Sequence, residues 1–153
     1  MDVRCINPFV EATKRVFSMM ASTRILVHHP QAVACIRTGN DSVYAVVDMR
    51  GATQDGAVVL SFSTKVAMSI GASFMGTSVT IADASEAVGE LANMVVGNAR
   101  KDLKGRFDSI SVPRIVLGDS PLGLICELSL WLRIAFSIPA GDFFLNVAFG
   151  DRT

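Results

Sequence analysis

Apolar residues recur along this chain with two periods, and the period assigns the elements. Wound at about 100° per residue, Ser85 to Lys104 gathers Val88, Leu91, Ala92, Val95, Ala99 and Leu103 into one stripe, the strongest helical signal in the sequence. Val79 to Asp83 leads into it, Asp83 or Ser85 is the expected N-cap, and Glu86 favours the positive end of the helix dipole. Near the start, Phe9, Val10, Val16, Phe17 and Met20 predict a helix ending near Ala21, with Asn7 as N-cap and Pro8 at its first position. A third helix follows Thr64 as its cap and runs to Gly76, where Met68, Phe74 and Met75 read as core filler.

Between the helices the period falls to two. Val43, Ala45, Val47 and Met49 share one face of a strand, and Val58, Leu60 and Phe62 share one face of the next. Gly51 to Gly56 joins them as a hairpin. Shorter strands are predicted at Ile25–His29 and Ala32–Arg37, split by Pro30, then at Ser109–Pro113 and Arg114–Gly118. The longest alternation runs from Leu124 through Cys126, Leu128, Leu130, Leu132, Ile134 and Phe136 to Ile138. Trp131 falls on its other face with Glu127, Ser129, Arg133 and Ser137. Such a strand would reach roughly 50 Å, whereas a compact chain of this length is about 40 Å across. It therefore either bends or reaches onto a second subunit. Gly141 to Phe149 closes the sheet with Phe143, Leu145, Val147 and Phe149 inward. The expected fold class is α+β: an antiparallel sheet with long helices packed on it.

Composition narrows the function. The 153 residues form one expected domain, half apolar and 18% charged, hence globular. Lys plus Arg and Asp plus Glu number 14 each, with no basic cluster, which argues against nucleic acid and acidic membranes as partners. Cys5, Cys35 and Cys126 are far apart and read as reduced thiols of a cytoplasmic protein. Asp2, Arg4 and Glu11 interrupt any signal-peptide core, and no apolar run is long enough for membrane insertion. His28 and His29 are adjacent, so a strand would point them to opposite faces. No carboxylate or Cys sits at ligand spacing from them, and no metal site is expected. Neither a P-loop nor a nucleophile–base constellation can be assembled.

The polar side of the Ser85–Lys104 helix holds the candidate chemistry. Glu86, Glu90, Asn93, Gly97 and Lys104 fall within an arc of roughly 60°. A glycine inside a helix costs about 1 kcal/mol relative to alanine. On a solvated face that cost makes sense when another molecule approaches the backbone. Glu90 and Asn93, at i and i+3, are side-chain neighbours on what reads as a docking face.

Glu90-Leu-Ala-Asn93 followed by Gly97 resembles the Glu-x-x-Asn-x-x-x-Gly signature of the CheC/CheX family of chemotaxis phosphatases. The first helix, with Asn7, Pro8, Phe9, Glu11, Ala12 and Thr13, is similar to that of the CheX branch, as are Gly56–Ser63 and Pro139–Val147. Glu86 stands where the family often has Asp or Ser, and Pro113 lies a few residues nearer Asn93 than the family's strand proline, implying a short Lys104–Asp108 connection.

The resemblance implies hydrolysis of the phospho-aspartate on a CheY-type response regulator. An acyl phosphate is already reactive, and the regulator would bring its own divalent metal, Mg, so this chain needs no cofactor. Asn93 would orient the attacking water. Glu90 would anchor a lysine of the regulator's active site, with Glu86 and Gly97 bordering the docked partner. Asn7 and Glu11 stand in the reverse order, so one site per subunit is expected. CheX-like proteins form dimers through exchanged strands, which favours the second-subunit reading of the long alternation. The alternative function is a non-catalytic module that binds a regulator, or another signalling protein, through the same face.

Overall fold

A computed structural model describes residues 5–21, 23–34, 36, 41–103, 105–118 and 130–151. In chain order the elements are α1 (Asn7–Ala21), β1 (Leu26–Val27), β2 (Gln31–Val33), β3 (Ser42–Arg50), β4 (Gln54–Ser63), α2 (Thr64–Met75), α3 (Ile81–Asp102), β5 (Ser109–Ile110), β6 (Arg114–Leu117), β7 (Trp131–Ile138) and β8 (Gly141–Asp151). The strands form one antiparallel sheet in the order β1-β7-β8-β4-β3-β5, with β2 also on β7 and β6 also on β3. The three helices pack on one face of it, as the α+β expectation required.

Register puts the alternating apolar residues inward. Val47 pairs with Val58 and Val58 with Val147, and all three are fully buried beneath the helices. Phe143 centres an aromatic stack, with Phe17, Phe62 and Phe136 rings at 4.8, 5.1 and 5.2 Å. Every residue of the apolar stripe predicted for α3, from Val88 to Leu103, is buried. That stripe lies over β3 and β4, while α1 and α2 flank the helix. Among the described residues no helix is long and apolar enough to cross a membrane.

Several boundaries differ from expectation. The Ile6 carbonyl accepts from Val10 N at 3.1 Å, so Asn7 is already helical rather than the cap. Ser63, not Thr64, caps α2: its extended backbone ends β4, and its Oγ accepts from Val66 N at 3.2 Å. Helix α3 starts four residues before Ser85. Its cap is Thr80, and a capping box with Asp83 satisfies backbone donors in both directions. Met75 is 54% exposed because neighbours on a helix diverge by about 100° and Phe74 takes the inward position. The hairpin loop is shorter than Gly51–Gly56, since β4 begins at Gln54.

In the described residues, β7 starts only at Trp131, and Leu130 precedes it outside the strand. The Leu124–Leu128 part of the expected long strand lies outside the described residues, as do Cys35, Cys126 and Lys104. Trp131 is fully buried on the helix-free face, in a second apolar cluster with Ile36, Tyr44, Val46, Ala57, Val59 and Ala148. The alternation pattern had grouped it with polar residues.

Candidate functional site

The site begins with the rigidity of α3. Its 22 residues are closed at the start by the Thr80–Asp83 box. At the other end, Arg100 donates through Nε to the Phe107 carbonyl at 3.3 Å and through Nη2 to that of Asp108. These bonds hold the short return from helix to sheet against the helix itself. Glu90 and Asn93 lie in the middle of this element, away from both ends.

Glu86, Glu90 and Asn93 are exposed, and Gly97 follows one turn beyond Asn93 on the same side. Among the described residues, no hydrogen bond or ion pair within the chain engages the side chains of Glu86, Glu90 or Asn93. Neither carboxylate nor carboxamide is committed to holding the fold. Among the described residues a β-carbon built on Gly97 meets nothing within 4 Å, so the glycine relieves no crowding against them. No group of three or more His, Cys, Asp or Glu side chains gathers to form a metal site among the described residues.

An open groove runs beside Glu86, Glu90 and Asn93, with Ile110, Ser111, Val112, Pro113 and Ile115 on its other side. Gly89 also lines it, and an added β-carbon there would reach ordinary contact with Ile115 Cδ1 at 3.4 Å. Its far wall is a bulge. Between the pairs Met49–Ile110 and Val46–Arg114, β3 supplies Val47 and Asp48, while the opposing chain supplies Ser111, Val112 and Pro113. Pro113 has no N–H for the ladder, and the extra residue pushes Val112 out to 83% exposure. Ser111 N donates to Asp48 O at 2.8 Å and Asp48 N to Ser111 Oγ at 2.9 Å, while Arg114 pairs with Asp48 at 3.2 Å. The bulge is thereby fixed to β3.

All four sequence-predicted site residues thus lie along one side of one helix, three of them lining the groove. The sequence reading noted Pro113 but missed Gly89, Ser111 and Val112 as its neighbours. Two apolar segments flanking Ser111–Pro113 were the available signal, but a bulge shows only once the register with β3 is known. Glu11, by contrast, pairs on the surface with Lys14 at 3.5 Å.

The family model described as chemotaxis phosphatase CheX matches residues 43–123, more than half of the chain and including α3 and the groove. No curated protein sequence matches significantly. Among solved structures, the chemotaxis protein CheX of Vibrio vulnificus is 27% identical, with a TM-score of 0.81 over 97% of this chain and 100% of that one. The CheX of Desulfovibrio desulfuricans is 24% identical with a TM-score of 0.79, covering 97% and 100% of the two chains. A complex of CheX with CheY, BeF3 and Mg2+ from Borrelia burgdorferi aligns at 19% identity and a TM-score of 0.76, covering 97% and 99%.

Proposed function

The chain belongs to the CheX family of chemotaxis phosphatases, and on that premise we propose that it hydrolyses the phospho-aspartate of a CheY-type response regulator. One observation carries the reading: Glu90 and Asn93 project, unpartnered among the described residues, from the middle of a rigid helix beside an open groove. The Borrelia CheX that shares this fold was crystallised with CheY, BeF3 and Mg2+, which supports a CheY-type partner.

Asn93 is assigned the water. Its carboxamide oxygen accepts from the attacking water and its NH2 donates to the phosphoryl, aligning the water without acting as a strong base. Glu90, a turn earlier on the same side, meets a lysine of the regulator by a charge-assisted bond. Glu86 and Gly97 border the docked surface. The regulator's own divalent cation neutralises phosphoryl charge, so this chain contributes geometry alone. The protein acts in the cytoplasm as one domain over residues 1–153. It works as a homodimer through the Leu124–Ile138 segment: Leu132, Ile134, Phe136 and Ile138 pack in this chain's own core, while Leu130 stays 40% exposed and continues the apolar alternation toward Leu124.

Phosphate release from a regulator charged with acetyl phosphate, with and without this protein, tests the reading. Asn93→Ala is expected to bind the phosphorylated regulator but to lose roughly 100-fold or more of the added hydrolysis. Unchanged turnover in that variant would remove Asn93 from the mechanism. Regulator binding without accelerated hydrolysis by the unmodified protein would leave a docking module instead.

A further inference from the structure

We propose that the helix-free face of the sheet carries an oxyanion-binding site built on Arg133, separate from the groove beside α3. Arg133 on β7 stands across from Asn146 on β8, and its Nε donates to Asn146 Oδ1 at 3.0 Å. Asn146 is fully buried and cannot turn. Its Nδ2 donates to the Val59 carbonyl at 3.0 Å and to Ser61 Oγ at 3.1 Å, which leaves its oxygen facing the guanidinium. The guanidinium carbon lies 4.8 Å from the centroid of the Phe144 ring. One edge of the fork is thus bound and one face is stacked, which orients the remaining N–H groups.

This positive charge is held by neutral groups. Among the described residues no carboxylate lies within ion-pair distance of Arg133; the pairs present are Lys14–Glu11 and Arg114–Asp48. Asp142, which lines the same clefts as Arg133, accepts from Ser137 Oγ at 2.6 Å. Two clefts meet at Arg133, Phe144 and Asp142. The first is also walled by Ser61 and Ser63. Ser61 Oγ accepts from Asn146 and Ser63 Oγ from Val66 N, so each hydroxyl keeps its own proton to donate. An oriented guanidinium beside donor hydroxyls suits phosphate or carboxylate oxygens, which it binds in bidentate fashion.

Calorimetry and the NMR shifts of Arg133 Nε and Asn146 Nδ2 on the full chain test this, with inorganic phosphate, acetate and chloride compared at equal ionic strength. Phosphate or acetate is expected to saturate and to move both signals, whereas chloride does not. Tighter phosphate binding identifies a phosphoryl ligand, and tighter acetate binding a carboxylate. Arg133→Lys, which keeps the charge but loses the fork, should weaken binding about tenfold, and Arg133→Met at least as much. Phe144→Leu keeps the hydrogen bonds and removes the stacking surface, so it carries the test if Arg133→Met fails to fold; a smaller loss is expected from it. Equal shifts with chloride, no saturation by either oxyanion, or wild-type affinity in the Lys variant would overturn the site.

Discussion

Gly97→Leu separates docking from stability on a single side chain. The helical position costs glycine about 0.8–1 kcal/mol relative to alanine, and leucine is nearly as good a helix former as alanine. Among the described residues the β-carbon meets nothing within 4 Å, so no clash with them offsets that gain. For a chain of 153 residues, about 1 kcal/mol corresponds to a rise of roughly 2–4 °C in Tm. Asn93 and Gly97 are four residues apart, about 6 Å along the helix axis, so the new side chain would stand against any molecule reaching Asn93. Thermal unfolding by circular dichroism and phosphate release from the regulator, measured on the same preparation, should therefore move in opposite directions. Gly71 is the internal control. There a β-carbon would meet Ala84 Cα and Val79 Cγ2, both at 3.1 Å, so Gly71→Leu should lower Tm by crowding the α2–α3 crossing. A Gly97→Leu protein that melts lower than the parent, or melts higher with full activity, would refute the docking argument.

Glu90→Ala should weaken regulator binding by about 1.5–3 kcal/mol, since a charge-assisted bond is lost; an unaltered dissociation constant would leave Glu90 a solvated surface charge. Thr80→Ala removes the hydroxyl that accepts from Asp83 N and donates to Asp83 Oδ2, leaves the backbone N–H of residue 80 bonded to Asp83, and should cost about 1 kcal/mol in chemical denaturation, with the midpoint falling at constant slope. Light scattering at micromolar concentration should report a dimer, and a monomer alone would overturn the Leu124–Ile138 interface.

Periodicity was a good guide wherever one face meets the core. The stripe on α3 and the inward residues of β3, β4 and β8 were legible because their burial follows from period alone. Caps were less legible. Ser63-Thr64 offers two adjacent cap formers, and only the extended backbone at the end of β4 selects the first. Thr80 was passed over for Asp83, which takes part in the same cap as the third residue of the box. The helix-free face was least legible. Trp131, Arg133 and Asn146 come together through pairings between distant strands, and period two puts the buried Trp131 and the half-exposed Arg133, two residues on, on the same face. For the site, spacing placed Glu90 and Asn93 side by side, but the groove's second wall needed the register of β3 against Ser111–Pro113.

Because Glu90 and Asn93 take no part in holding the fold among the described residues, folding exerts no selection on them. Exposed substitutions away from caps and packing usually shift stability by no more than about 0.5 kcal/mol. A lineage could exchange either residue and keep the same sheet, helices and melting behaviour while losing its chemistry in one step. Only the partner would register the change. Members of such a family that have turned into inert docking proteins would then be told apart by two letters on one helix, and by no measurement of how well they fold.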